Sequence, residues 1–166
     1  MKLSNGVLLL FFLSLALPSF AQTPEKNKAA CVSFYEAFNA RDYDKIKTLV
    51  SADFIDYALP PGMEEQTGLH GAALFDLALR EYISAFPDVK VTPIQYVAEG
   101  DYVMVFLSMT GTHKGTFAGI PPTGKSFNFT DADLVRFDKT GKAIEHWAVQ
   151  DGSAMMMQLG VVPPGN

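Results

Sequence analysis

Helical periodicity in the first half of the chain and strand alternation in the second predict an α+β domain, in which N-terminal helices pack on one face of a curved antiparallel sheet. Two observations carry that expectation. Apolar residues recur three and four apart as far as Phe86, where Pro87 ends the pattern. Beyond it the apolar runs follow the two-residue rhythm of strands, with turn residues between them at Glu99-Gly100-Asp101 and from Asp138 to Gly141. A curved sheet covered on one face half-encloses a pocket.

The first segment stands outside that domain. MKLSNGVLLLFFLSLALPSFA has Lys2 near its start, an apolar run from Val7 to Leu17, and small residues Ser19 and Ala21 at the cleavage-determining positions. That is the pattern of a secretory signal peptide. The run is short for a bilayer, which needs about 20 apolar residues. Cleavage after Ala21 is expected, with export to the periplasm or the outside of the cell. Residues 22–166 remain as a single domain, undivided by any repeat, low-complexity tract or linker.

Each element of the domain has its own signal. Thr23 is a cap, Pro24 a first-turn proline, and Ala30, Phe34, Ala37 and Phe38 share a face, which predicts a helix to about Ala40. Asp42 caps a shorter helix that turns Ile46, Leu49 and Val50 inward, and a strand follows at Phe54 to Tyr57. After a loop rich in Pro and Gly, Leu74, Phe75, Ala78, Leu79, Tyr82, Ile83 and Phe86 mark a third helix with a broad apolar face. Four strand signals come next: VKVTPIQYVA, the run from Tyr102 to His113, the run from Phe127 to Phe137, and KAIEHWAVQ. Met155, Met156 and Met157 pack a short terminal helix.

Charge and cysteine content narrow the function classes. With Lys2 removed, 12 of the 13 basic side chains remain against 18 acidic ones, a balance that argues against a nucleic-acid partner. One cysteine forms no internal disulfide, so the fold stands on packing. Cys31 is either a buried small hydrophobe or an exposed thiol that pairs between chains. No local spacing proposes a metal site, and Gly119 and Gly124 flank prolines as turn residues rather than cradle a phosphate.

The last hairpin holds the most informative polar residues. A two-residue turn at Lys139 and Thr140 sets Asp133 directly across from His146 and Asp131 across from Ala148, whereas a bulge in the turn shifts the pairing by one. Phe127, Phe129, Asp131, Asp133 and Val135 then share a face with Ile144, His146, Ala148 and Gln150. Two acids and a histidine among apolar neighbours suit proton transfer, and Asp133, His146 and Asp131 are the catalytic candidates. The competing reading is a solvated face, which leaves Phe127, Phe129 and Val135 exposed as an apolar patch. On the opposite face, Leu134, Trp147 and Val149 make a candidate subunit interface.

The stretch FAGIPPTGK joins two strands that two residues would connect. Pro121 and Pro122 stiffen it, which suits a lid over the sheet edge. His113, just before it, has two readings: a donor to a substrate oxygen, or a hydrogen-bonded structural histidine.

GTHKGTFAGIPPTGKSFNFTDADLVRF followed by GKAIEHWAVQD and QLG, together with AFNARDYDKIKTLVSADFIDY nearer the start, resembles the SnoaL-like polyketide cyclases, or ester cyclases, of the nuclear-transport-factor-like superfamily. The resemblance covers essentially the whole domain. It implies a cone-shaped fold with a deep apolar pocket for a small apolar molecule, a homodimer through the outer sheet face, and no metal or organic cofactor. It implies ring closure by intramolecular aldol condensation, in which a carboxylate removes a proton next to a carbonyl. The family's acid/base aspartate stands two residues after the strand histidine, and here Ala148 holds that place. Asp131 and Asp133 match pocket positions on the preceding strand, and Asp56 matches an amide position after the first strand. Phe117 and Ile120 fall on the pocket rim, and with Asp56, His113 and Phe129 they complete the expected substrate-binding set. Two function classes follow: a cofactor-independent enzyme acting on an apolar carbonyl compound, or a secreted domain that holds a small hydrophobic ligand without chemistry.

Overall fold

Thr23 begins the first helix as a cap should, its hydroxyl accepting a bond from the Lys26 N–H at 3.3 Å in the computed structural model. The structure describes residues 23–149 and 152–161, so the predicted signal peptide, residues 1–21, and Gln150 lie outside the described residues. Helix α1 (Pro24–Ala40) ends at Arg41, a non-glycine residue in the left-handed region with φ 60°. Its guanidinium explains why that conformation is held: it donates to the carbonyls of Phe38, Pro87 and Val89. Asn39 adds a paired bond with the backbone of Val91. The end of α1 is thereby tied to the start of the sheet.

Helix α2 (Tyr43–Leu49) is capped by Asp42 and runs straight into strand β1 (Val50–Asp56). Within the Pro- and Gly-rich loop lies a short helix, α3 (Met63–Thr67), that sequence periodicity does not show, followed by α4 (Gly71–Ala85). Gly71, at φ 57°, lets α4 start against the backbone of β1: a Cβ there would stand 2.0 Å from the Ala52 carbonyl oxygen. Strands β2 (Lys90–Glu99), β3 (Tyr102–Thr112), β4 (Ser126–Phe137) and β5 (Ala143–Ala148) follow, then helix α5 (Gly152–Gln158).

The fold is the predicted α+β, with helices against a five-stranded curved, unclosed sheet in the order β1-β5-β4-β3-β2. One edge departs from the antiparallel expectation, because β1 pairs parallel to β5 and brings Asp56 beside His146. Alternation divides the two faces cleanly. Val103, Val105 and Leu107 of β3 are fully buried, whereas Tyr102, Met104 and Phe106 are exposed. On the outer face Val97, Met104, Leu134 and Trp147 line up strand by strand, and Trp147 stacks on Tyr57 with ring centroids 4.9 Å apart.

The β4–β5 register corrects the sequence-based pairing. Asp138 bonds Lys142 across a wider turn whose Gly141 has φ 86°, and the ladder shifts again between Arg136 and Phe137. Asp133 therefore faces Ala148, and Val135 faces His146. A one-residue slip turns every side chain to the other face, but two slips in the same sense restore it. The predicted inner face survives for that reason: Asp131, Asp133 and Val135 lie on the side of His146 and Ala148.

Candidate functional site

The inner sheet face, α1 and α4 enclose a cavity of about 780 Å³ whose walls are mainly apolar, among them Phe34, Phe38, Phe54, Phe75 and Leu79. Exposed segments of the loop around α3 (Pro60, Pro61, Gln66, Thr67) and residues 116–119 form its rim. Into this space four elements send one connected polar group. Asp133 comes from β4, His146 from β5, Asp56 from β1 and Tyr35 from α1.

His146 sits between two carboxylates. Its Nδ1 bonds Asp56 Oδ1 at 2.8 Å, and its Nε2 lies 3.4 Å from Asp133 Oδ1. Asp56 is held in turn by the Ala58 N–H at 2.9 Å. On the other side of Asp133, the Tyr35 hydroxyl donates to Oδ2 at 2.6 Å, a short charge-assisted bond. Burial alone would push the imidazole down, yet the hydrogen bonds and charges of Asp133 and Asp56 outweigh it, and His146 is pushed up to about 10. At neutral pH it is an imidazolium with both nitrogens facing carboxylates. The cluster sets two aspartates and one cation side by side in an apolar wall.

The neighbouring groups stay neutral. Burial, with the charge of Asp133, raises the Cys31 thiol to about 12, and Cys31 is buried in the cavity wall rather than free to pair between chains. Burial and Asp133 likewise keep the Tyr35 phenol well above its ordinary range, as a donor.

Of the residues singled out in the sequence, Asp133, His146, Asp56 and Phe117 line the cavity. Asp131 does not; it is 3% exposed, with Oδ1 accepting from the Ala132 N–H at 2.6 Å. Phe129 is buried against Phe127 and also stays out of the lining. His113 is wholly buried beneath the proline loop, its Nδ1 accepting the Thr123 N–H at 3.3 Å and its ring against Phe86. Ile120 and Phe117 exchange backbone bonds across a two-residue turn at Ala118 and Gly119, both with positive φ. Thr116 to Gly119 reach the rim, whereas Ile120 and the two prolines do not. Among the described residues no group of three or more His, Cys, Asp or Glu is arranged to hold a metal ion.

Tyr35 escaped the sequence reading. The α1 face through Ala30, Phe34, Ala37 and Phe38 omits it, although Cys31, Tyr35 and Phe38 recur at spacings of four and three and are all buried. A tyrosine in such a stripe has a hydroxyl to satisfy, which was the available signal.

Known proteins share this arrangement of chain. The family model for SnoaL-like polyketide cyclase matches residues 29–159. The aklanonic acid methyl ester cyclase DauD of Streptomyces sp. (strain C5) is 30% identical over 128 residues, covering 75% of this chain and 76% of its own. Its counterpart DnrD of Streptomyces peucetius is 27% identical over 126 residues, covering 75% and 84%. Among solved structures, IdmH of Streptomyces antibioticus superposes with a TM-score of 0.68 at 28% identity, covering 81% of this chain and 98% of its own. TsrD of Streptomyces laurentii, at 21% identity, shares the fold with a TM-score of 0.74 over 85% of this chain and 99% of its own. With a family match that runs from α1 to the end of α5, the chain belongs to the SnoaL-like polyketide cyclase family.

Proposed function

We propose that the protein moves a proton next to a carbonyl of a small apolar substrate, with Asp133 as the base. One observation carries this reading: the Asp133 carboxyl stands in the wall of an apolar cavity, between the Tyr35 hydroxyl and the imidazolium of His146. Asp133 takes the proton from the carbon next to the carbonyl. The electron pair of that C–H bond moves onto the carbonyl oxygen, and the charge of His146 offsets the resulting enolate. Attack of the enolate carbon on a second carbonyl would close a ring, the alkoxide so formed taking back the proton that Asp133 holds, which accords with the names of the aklanonic acid methyl ester cyclases. Neither step needs a cofactor. Asp133 also stands opposite Ala148, the place where the family's acid/base aspartate was expected, so a carboxylate is kept at the site from the adjacent strand.

Asp133→Asn tests the reading, because it keeps shape and removes basicity. Any activity found on enolisable esters and ketones should fall by about 10²-fold to 10⁴-fold with binding retained. Full activity in this variant would rule Asp133 out as the base. Ala148, and a histidine with both nitrogens committed to carboxylates, favour a second reading, a binder of small hydrophobic molecules. Tight binding with no proton exchange at any substrate carbon would select it.

Export and dimerisation belong to the same proposal. Residues 1–21 support export, which an exported form beginning at Gln22 would verify. The exposed row of Val97, Met104, Phe106 and Tyr57 around Trp147 supports a homodimer through the outer sheet face. Trp147→Glu should convert dimers to monomers in light scattering; a wild-type protein that is already monomeric refutes the dimer.

A further inference from the structure

We propose that Tyr35 is a positioning residue for the base: its hydroxyl anchors one oxygen of Asp133 and leaves the other, Oδ1, to meet the substrate. This inference rests on the reading of Asp133 as the base and adds a residue to it.

The two oxygens of Asp133 are held unequally. Oδ2 receives the Tyr35 O–H at 2.6 Å, whereas Oδ1 has the His146 Nε2 at 3.4 Å, a looser contact, since the shorter bond of that imidazole goes to Asp56 at 2.8 Å. Tyr35 itself has little freedom. It is 5% exposed, sits on a regular helix, and its ring packs edge-on against Phe34 with centroids 5.4 Å apart and against Tyr96 at 6.5 Å. Across the sheet, the Ala148 side chain offers no polar group to hold the carboxylate from that side. A donor on a rigid element is what fixes a catalytic carboxylate to within a fraction of an ångström.

The ionisable groups around Asp133 leave Tyr35 this part alone. From α1 come Tyr35 and Cys31, from β5 His146, from β1 Asp56 behind His146, and from β2 Tyr96 behind Tyr35. Cys31 and Tyr35 keep their protons at neutral pH, so neither competes for the substrate's proton. In the proposed step a C–H bond breaks, an O–H bond forms on Oδ1, and the electron pair goes to the carbonyl oxygen; Tyr35 neither gains nor loses a proton. Its bond to Oδ2 favours the ionised form of Asp133 and weakens once that charge is gone. The hydroxyl therefore keeps the base aimed between turnovers.

Tyr35→Phe removes the hydroxyl and keeps the ring. The probe is β-tetralone, an apolar enolisable ketone, with deuterium exchange at its activated carbon followed by NMR and its Kd measured by titration. Wild type, Tyr35→Phe and Asp133→Asn are compared across pH. For Tyr35→Phe the expected result is a Kd within about twofold of wild type and a roughly tenfold slower exchange. The acid limb of its pH–rate profile should also move up, since a donor to the charged form has been lost. A purely structural role would leave that limb in place. Wild-type rate and profile in Tyr35→Phe, alongside loss of exchange in Asp133→Asn, overturn the role of Tyr35 and spare the base. A weakened Kd that accounts for the whole loss of rate also overturns it. Absence of exchange in the wild type overturns both the base and this inference.

Discussion

Two histidines, one wholly buried just past β3 and one half-buried on β5, have opposite surroundings. His113, at the end of β3, meets a hydroxyl, a backbone N–H and the Phe86 ring, and no described atom bonds its Nε2. His146, on β5, meets two carboxylates. His113 is wholly buried in the aromatic end of the molecule, where Phe86 packs against Phe117 and Phe127. His146 faces the cavity. The difference teaches what burial does to an imidazole. With only neutral partners it serves as a packing and hydrogen-bonding piece that closes a loop, and with two anions it becomes a lasting cation.

Removing the cation is the strongest way to break this comparison. His146→Phe leaves Asp56 and Asp133 facing each other in an apolar wall, and the loss should reach about 3–5 kcal/mol, as for other buried pairs stripped of one partner. Chemical denaturation measures it, and a loss as small as that of a surface substitution would mean that solvent already screens the cluster. His113→Ala should cost about 2–4 kcal/mol through the space left beside Phe86, comparable with large-to-small core changes. Proton exchange in the folded fraction should be retained. Loss of exchange at unchanged stability would move His113 from the packing side of the comparison to the chemical one.

A third test sharpens the comparison through pH. His146 has a folded value of about 10 against an ordinary 6.5. A group whose value rises on folding stabilises the fold fully below the unfolded value and loses that contribution as pH climbs to the folded one. Thermal stability should therefore decline from about pH 6.5 to about pH 10 by an increment that His146→Phe lacks. An NMR titration of the His146 ring should show its midpoint near the upper figure, and a midpoint near 6.5 would refute the double clamp.

The helices show how much of this could be read in advance. Thr23, Pro24 and Asp42 state their caps in sequence, and α1 starts at the residue those signals indicate. The four later strands announce themselves by alternation. Helix α3 carries no such signal, because five residues around Gly62 and Gly68 are too few for a periodicity. The site was legible in part. Asp133 and His146 follow from alternation within one hairpin, and Asp56 only from family resemblance. Tyr35 followed from neither, because 98 residues separate it from the carboxylate it holds.

The β4–β5 register draws the same line within a single element. Asp133 and His146 shared a face in sequence, and they share it in the structure. Their pairing depended on a turn and a bulge whose glycine and extra residue the alternation does not reveal. By itself the sequence determined the α+β class, the helix starts, the alternating faces and the acids on the inner one. These are local properties, set by backbone geometry and by side chains a few residues apart. Only the tertiary structure decided that β1 would join parallel to β5, that His146 would stand between Asp56 and Asp133, and that Tyr35 would close the chain of hydrogen bonds. Those contacts join residues distant in sequence, and they form because packing helices on a curved sheet buries apolar surface and brings their polar groups to one wall.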